Sequence, residues 1–182
     1  MRQSERKTLV VCLATLFCVA AICFTTGVAW AQNPTAAQVA AEFGPAFKPD
    51  PAFPVLVADF DGDGKPDVAV VATAEDPLLD QLQYRYKVID PFNAFYGFAD
   101  PKITTQFAVP EGKPLLVLVV HNWRAPQQKF VMVNLPFAKL SVARVLVKKK
   151  ILPAIHAEEA GGLKANLYWD GKKWRWQEGT LE

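Results

Sequence analysis

Residues 54–72 have the sequence PVLVADFDGDGKPDVAVVA, in which two short apolar runs flank an acidic loop at positions 59–67. Both runs are rich in valine and bounded by turn-forming residues, which is typical of β-strands. Pro66 lies inside the loop and disfavours a helix that would start through it. The stretch therefore predicts a strand, a tight loop and a second strand, and it indicates a β-rich fold.

The acidic loop carries four closely spaced aspartates. Carboxylates this close repel one another unless a cation neutralises them, and a hard divalent ion that takes about six to eight oxygen ligands meets that need. Gly64 allows the sharp turn of a wrapped loop, and the next residue offers its backbone carbonyl. The sequence predicts a Ca²⁺ site with four side-chain ligands and, from the lysine, one backbone carbonyl: Asp59, Asp61, Asp63, Lys65 and Asp67.

The same spacing occurs at the start of an EF-hand, which is the first alternative. An EF-hand loop has a bidentate Glu at its twelfth position and helices on both sides. The twelfth position here is Val70, and the flanking runs are the predicted strands. The pattern therefore disagrees with an EF-hand, and the remaining alternative is an acidic β-turn that binds no ion.

The stretch Ala58–Ala72 resembles the FG-GAP/VCBS repeat family, whose repeats carry this loop between two blade strands of integrin-like propellers. The resemblance covers about fifteen residues. It implies the same five calcium ligands, and in a family setting it implies adhesion or protein contacts.

Two features of the chain depart from that family. A Gly-Ala-Pro motif should follow the second strand, whereas this chain has Val71-Ala72-Thr73, which is closer to the VCBS variant. A propeller needs several blades, and the sequence contains no second copy of the loop. We therefore expect a single loop inserted in another β-rich fold, and not a full propeller.

The N-terminal segment has the pattern of a secretory signal peptide. Basic residues precede an apolar run at 9–24, and Ala29-Trp30-Ala31 forms a cleavage site before Gln32. The sequence thus predicts a signal peptide at 1–31 and a secreted or periplasmic protein, with an uncleaved N-terminal membrane anchor as the alternative. This segment contains all three cysteines of the chain, Cys12, Cys18 and Cys23. The predicted mature chain therefore has no disulfide and no thiol chemistry.

Residues 32–182 are long enough for one domain with a sizeable core, and we predict a single β-rich domain there. Without the charged residues of the segment 1–31, the 20 basic and 18 acidic side chains become 17 of each. A neutral mature chain gives no indication of nucleic-acid or membrane binding. The expected partner is a protein or polysaccharide of the cell envelope.

The remaining pattern predicts one short helix and several antiparallel strands. The helix covers Thr35–Phe43 and ends at Gly44. Strands are predicted at 115–120, 130–133 and 142–147, and Asp170-Gly171 predicts the turn of a hairpin between 166–169 and 172–177. Residues 73–112 lack a sustained period and are predicted to be ordered loop with some strand at 83–89. The expected fold is mostly β, an antiparallel sheet or sandwich with a short N-terminal helix.

The C-terminal hairpin carries a row of tryptophans that fits two interpretations. Trp169, Trp174 and Trp176 share a face with Leu167, while charged residues take the other face. Exposed tryptophans in a row can stack on sugar rings, but apolar neighbours favour a place in the core. Trp123 is the better candidate for sugar stacking.

Enzyme chemistry has little support in the sequence. The chain has two histidines, His121 and His156, and a single serine, Ser141, beyond the predicted signal peptide. Hydrolase and zinc-protease motifs are absent by pattern. A histidine with a nearby carboxylate could act as an acid–base pair only if the fold supplied a pocket. The sequence favours an exported, calcium-binding, non-catalytic binding or structural module, with a carbohydrate-binding module or a small secreted hydrolase with structural calcium as alternatives.

Overall fold

The computed structural model describes residues 34–97 and 114–179. The predicted signal peptide at 1–31, and residues 98–112 of the stretch predicted to be mostly loop, lie outside the described residues. No helix in the described part of the chain combines the length and the apolar character needed to cross a membrane.

The described residues contain three helices and ten strands. The helices are α1 (Ala36–Phe43), α2 (Gln81–Tyr84) and α3 (Pro91–Tyr96). The strands are β1 (Lys48–Pro49), β2 (Leu56–Ala58), β3 (Asp67–Thr73), β4 (Lys87–Ile89), β5 (Leu115–His121), β6 (Gln128–Met132), β7 (Lys139–Val147), β8 (Lys150–Glu158), β9 (Lys164–Trp169) and β10 (Trp174–Glu178).

The first sheet, sheet A, is built around β3 and has the order β1-β3-β5-β6-β4. Strand β2 also pairs with β3, at the end next to the acidic loop, where Ala58 lies opposite Asp67. All pairs in sheet A are antiparallel except β4 with β6. The parallel pair makes sheet A mixed, although the fold as a whole is mostly antiparallel.

The second sheet, sheet B, is an antiparallel meander in the order β10-β9-β8-β7. One face of sheet A and one face of sheet B contribute to a common apolar core. Residues from both sheets occupy it, among them Val71, Val117, Met132, Ile155 and Leu167. The two sheets therefore form a sandwich, which is one of the two arrangements that the sequence predicts.

The other face of sheet A packs against α1, which makes a second apolar core. Thr35 is the N-cap of helix α1, and its side chain and backbone exchange hydrogen bonds with Gln38 in a capping box. It buries Val39 and Phe43 against the sheet. Because both faces of sheet A are covered, β3 and β5 have continuous apolar sequences rather than alternating ones.

The C-terminal hairpin has a four-residue loop, since Trp169 pairs with Trp174. Asp170 closes this loop by accepting hydrogen bonds from the backbone N–H groups of Lys172 and Lys173. Trp169, Trp174 and Trp176 are at most 8% exposed and lie in the core between the sheets. Their burial agrees with the core interpretation of the tryptophan row.

The prediction of a mostly β fold with a short N-terminal helix is confirmed, and residues 34–97 and 114–179 form neither a propeller nor a closed barrel. The region after β3 differs from the prediction, because α2 covers part of the expected strand and leaves only Lys87–Ile89 in β4. Helix α3 follows within the expected loop. Asp90 caps it and Pro91 is its first residue, which is a favourable helix start.

Candidate metal centre

The acidic loop joins β2 to β3 at one end of sheet A. Backbone hydrogen bonds to the aspartates fold it tightly. The two carboxylate oxygens of Asp59 accept from the N–H groups of Gly62 at 2.8 Å and Gly64 at 2.9 Å. Both glycines have positive φ, +79° and +83°, a conformation that side chains resist. The loop thus curls around its own carboxylates.

The carboxylates of the next two aspartates also accept backbone hydrogen bonds within the loop. Oδ1 of Asp61 accepts from the N–H of Asp63 at 3.0 Å, and Oδ1 of Asp63 accepts from the N–H of Lys65 at 2.8 Å. The ammonium of Lys65 lies 3.3 Å from Oδ2 of Asp63 in an exposed pair, which contributes little stability. Asp59, Asp61 and Asp63 each offer an oxygen within 4.8 Å of the others. These three side chains form the outer carboxylate group.

Asp67 is fully buried and is held differently. Its Oδ2 accepts from the N–H groups of Phe60 at 2.8 Å and Asp61 at 3.1 Å, and its Oδ1 accepts from the N–H of Asn122 at 2.7 Å. Burial raises the pKa of Asp67 to about 6, because desolvation and the nearby Asp61 carboxylate outweigh the hydrogen bonds that favour the charged form. Asp67 therefore ties the loop both to its own start and to the residue after β5.

His121 completes a second group with Asp61 and Asp67, whose ligand atoms also lie within 4.8 Å of one another. We call it the inner group. His121 is 1% exposed. Its Nδ1 lies 3.2 Å from Oδ2 of Asp61, but the two atoms do not have the geometry of a hydrogen bond. Burial lowers the pKa of His121, against the carboxylates of the loop that raise it. The imidazole is therefore neutral at neutral pH, the form that binds metal ions.

Aromatic rings fix the orientation of His121. The ring centroids of Trp169, Phe130 and Trp174 lie 5.0, 5.3 and 5.7 Å from the imidazole. The sequence indicates His121 only as a candidate acid–base residue. Its place in the inner group follows from the register of β3 and β5, in which Val68 lies opposite Val120 and so Asp67 comes beside His121.

The other candidate residues lie apart from the loop or have packing roles. Nδ1 of His156 is 2.8 Å from the amide oxygen of Asn166, and its Nε2 is 3.5 Å from Glu158. Trp123 donates its backbone N–H to the carbonyl of Pro66 and packs, half-buried, on the core that contains α1. Neither arrangement forms a catalytic group with the acidic loop.

The fold and the site define a two-sheet β domain with one acidic loop between adjacent strands. The family model described as FG-GAP repeat matches residues 55–88, which span β2, the loop, β3 and α2. The match confirms the resemblance that the loop indicates in the sequence. Comparison with curated proteins gave no match, and comparison with solved structures gave none.

Proposed function

We propose that this protein is an exported, non-catalytic binding or structural module whose acidic loop holds one Ca²⁺ ion. The proposed ligands are four carboxylates and one backbone carbonyl, from Asp59, Asp61, Asp63, Asp67 and Lys65. The main support for this proposal is the outer carboxylate group, which places three carboxylate oxygens within 4.8 Å of one another. Calcium prefers such oxygen donors, and the FG-GAP repeat match supports the same ion.

The loop geometry fits an ion of this kind. Each of the three outer carboxylates is held by at least one backbone N–H and still has lone pairs to offer. Lys65 is the only basic residue in the loop, so the four acidic side chains are not balanced locally. A bound Ca²⁺ would neutralise them and would fix β2, β3 and the end of β5 in one geometry through Asp67.

The binding test is calorimetric titration of calcium into chelator-treated protein, with magnesium as the comparison ion. We expect one calcium site per chain with a dissociation constant of about 0.1 to 1 mM, and much weaker magnesium binding, because magnesium requires a tighter octahedron. Asp63→Ala should abolish the calcium heat. Glu75→Gln, which removes one exposed charge outside the loop, should keep it. Absence of calcium heat in the unaltered protein would refute the site.

Export is tested separately by N-terminal sequencing of the protein recovered from a secreting host. We expect the sequence to begin at Gln32, because Ala29 and Ala31 supply the small residues that signal peptidase requires. Recovery of the full-length chain in salt-washed membranes would favour the N-terminal anchor.

A second candidate function, binding of an acidic polysaccharide, is favoured by a cavity of about 390 Å³ between β4, α3 and the C-terminal hairpin. Four basic residues line it: Lys87, Lys172, Lys173 and Arg175. The ring of Phe95, which is 54% exposed, also lines it and lies 4.7 Å from Trp176. Basic groups beside an exposed ring suit a sugar that carries a carboxylate.

Affinity electrophoresis in gels that contain a uronic acid polymer tests this second function. Retardation should decrease in the double variant Lys172→Ala, Lys173→Ala. It should persist in Lys139→Ala, Lys150→Ala, which removes the same charge from exposed positions on sheet B. Equal retardation of both double variants would show that the polymer binds to general positive charge and not to the cavity.

A further inference from the structure

His121 is not accounted for by the calcium site, because calcium takes oxygen ligands. The residue is 1% exposed, and neither ring nitrogen has a hydrogen-bond partner among the described residues. A buried polar group without a partner lowers stability and calls for a physical explanation. The structure places this ring against two carboxylates.

The distance between His121 and Asp61 fits two ligands of one small ion. Two ligand atoms held about 2.1 Å from a metal are separated by about 3.0 Å at an octahedral angle and by about 3.4 Å at a tetrahedral angle. Nδ1 of His121 and Oδ2 of Asp61 are 3.2 Å apart, without hydrogen-bond geometry. The pair is therefore spaced as neighbouring ligands rather than as donor and acceptor.

The ligands of the inner group are also held in place. Three backbone N–H groups fix the Asp67 carboxylate, and three aromatic rings surround His121. The Asp61 side chain is 17% exposed, so the group opens toward solvent on the loop side. Fixed ligands with one open side resemble metal sites that keep a position for water.

We propose that Asp61, Asp67 and His121 form a second metal site that binds a borderline first-row divalent cation, with Zn²⁺ as the representative ion. One imidazole nitrogen and two carboxylates suit such an ion better than they suit calcium. The site goes beyond the proposed calcium function: it shares Asp61 and Asp67 with the proposed calcium ligands and adds the imidazole of His121.

The test uses the full chain without an affinity tag and with Cys12, Cys18 and Cys23 replaced by serine, so that neither thiols nor tag histidines bind zinc. Zn²⁺ is titrated into chelator-treated protein by calorimetry. We expect one site, retained in His156→Gln and weakened roughly 10- to 100-fold in His121→Gln, because loss of even a supporting residue costs that much affinity. Equal zinc affinity in the two variants would overturn the proposal.

A spectroscopic measurement avoids dependence on the folding of His121→Gln. Since the chain has two histidines, His121 is the only imidazole left in His156→Gln. X-ray absorption of this variant loaded with one Zn²⁺ should show the multiple scattering of one imidazole ligand. Zinc coordinated by oxygen alone would overturn the proposal.

The variant Asp63→Ala distinguishes the two proposed metal sites, because it alters the outer carboxylate group but not the inner group. This variant should lose the calcium heat and keep the zinc heat and the imidazole signal. Loss of both in a variant that remains folded would overturn a separate zinc site and would leave one shared ion site.

Discussion

Asp67 and Asp63 carry the same functional group in one loop, but their surroundings give them different roles. Asp67 is fully buried and accepts three backbone hydrogen bonds, one of them from Asn122 beyond β5. Asp63 has a half-exposed carboxylate that accepts one backbone hydrogen bond and contacts Lys65. Asp67 is therefore a structural residue of the loop whether or not an ion binds.

This difference predicts unequal stability losses in chelator. Asp67→Ala leaves three N–H groups without an acceptor and should lower the free energy of unfolding by about 2 to 4 kcal/mol, at roughly 1 kcal/mol or more for each group. Asp63→Ala should lower the free energy of unfolding by less than about 1 kcal/mol, which is usual for partly exposed positions. Urea denaturation followed by tryptophan fluorescence measures both. Equal midpoints for the two variants would contradict the structural role of Asp67.

The spacing of the loop aspartates is enough to predict the outer carboxylate group, because those residues are neighbours in sequence. The position of His121 could not be predicted in the same way. It depends on the pairing of β3 with β5, and the Asp67 to Asn122 hydrogen bond beside it joins residues 55 positions apart. A single sequence does not give the register of strands so far apart.

At the level of elements, two of the three hairpins of sheet B differ in how clearly the sequence marks their turns. Asp170-Gly171 marks the β9–β10 turn, since Gly171 takes the positive φ of +93° that its type allows. The β7–β8 turn is formed by Lys148 and Lys149, which also have positive φ, 47° and 67°. Lysine is not a typical turn residue, so the sequence does not predict β8. Nine paired positions between β7 and β8 hold that turn in place.

The conformation of Gly171 predicts a cost for any branched side chain there. A Cβ at this position meets no atom within 4 Å, so the penalty of Gly171→Val comes from the backbone alone, at roughly 1 to 3 kcal/mol. Gly161→Val is the matched control, because that glycine also has open space and does not have a positive φ of this kind. Thermal denaturation should show a lower melting temperature for Gly171→Val only. A similar decrease in both variants would point to loss of glycine in general.

The lysine turn predicts a stabilising substitution. Lys149→Gly should relieve the left-handed conformation and gain about 1 kcal/mol, since that conformation costs a side-chain-bearing residue roughly 1 to 2 kcal/mol. Lys150→Gly, one residue later in β8, should destabilise the protein because glycine weakens strands. Denaturant midpoints compare the two. A loss of stability in Lys149→Gly would contradict the conformation of this turn.

For the whole molecule, the apolar runs predict buried strands, but they do not predict the three layers. Residues 68–72 and 115–120 are apolar throughout because α1 covers one face of sheet A and sheet B covers the other. Periodicity predicts that these runs are buried and does not say which elements cover them. The parallel pairing of β4 with β6 is a further property of the assembled sheet that no local pattern contains.

The proposed calcium site predicts a change in the stability of the whole domain. At a calcium concentration about a hundred times the dissociation constant, binding to the native state alone adds about 2.7 kcal/mol, or about 5 to 11 °C in melting temperature. Differential scanning calorimetry with chelator and with calcium measures the shift. Asp61→Ala should show no shift. A melting temperature of the unaltered protein that does not change with calcium would contradict the site.

The position of β3 between early and late parts of the chain has a consequence for the order of folding. β1 and β2 pair with β3 from nearby in the sequence, whereas β5 reaches it only after the chain has closed a long loop. Closing a longer loop costs more entropy and slows folding. We therefore expect the β2–β3 hairpin to form before β5 pairs with β3, so that one edge of β3 is still unpaired at that stage. Until β5 pairs with it, that edge of β3 is open to pairing with a strand of another copy of the chain.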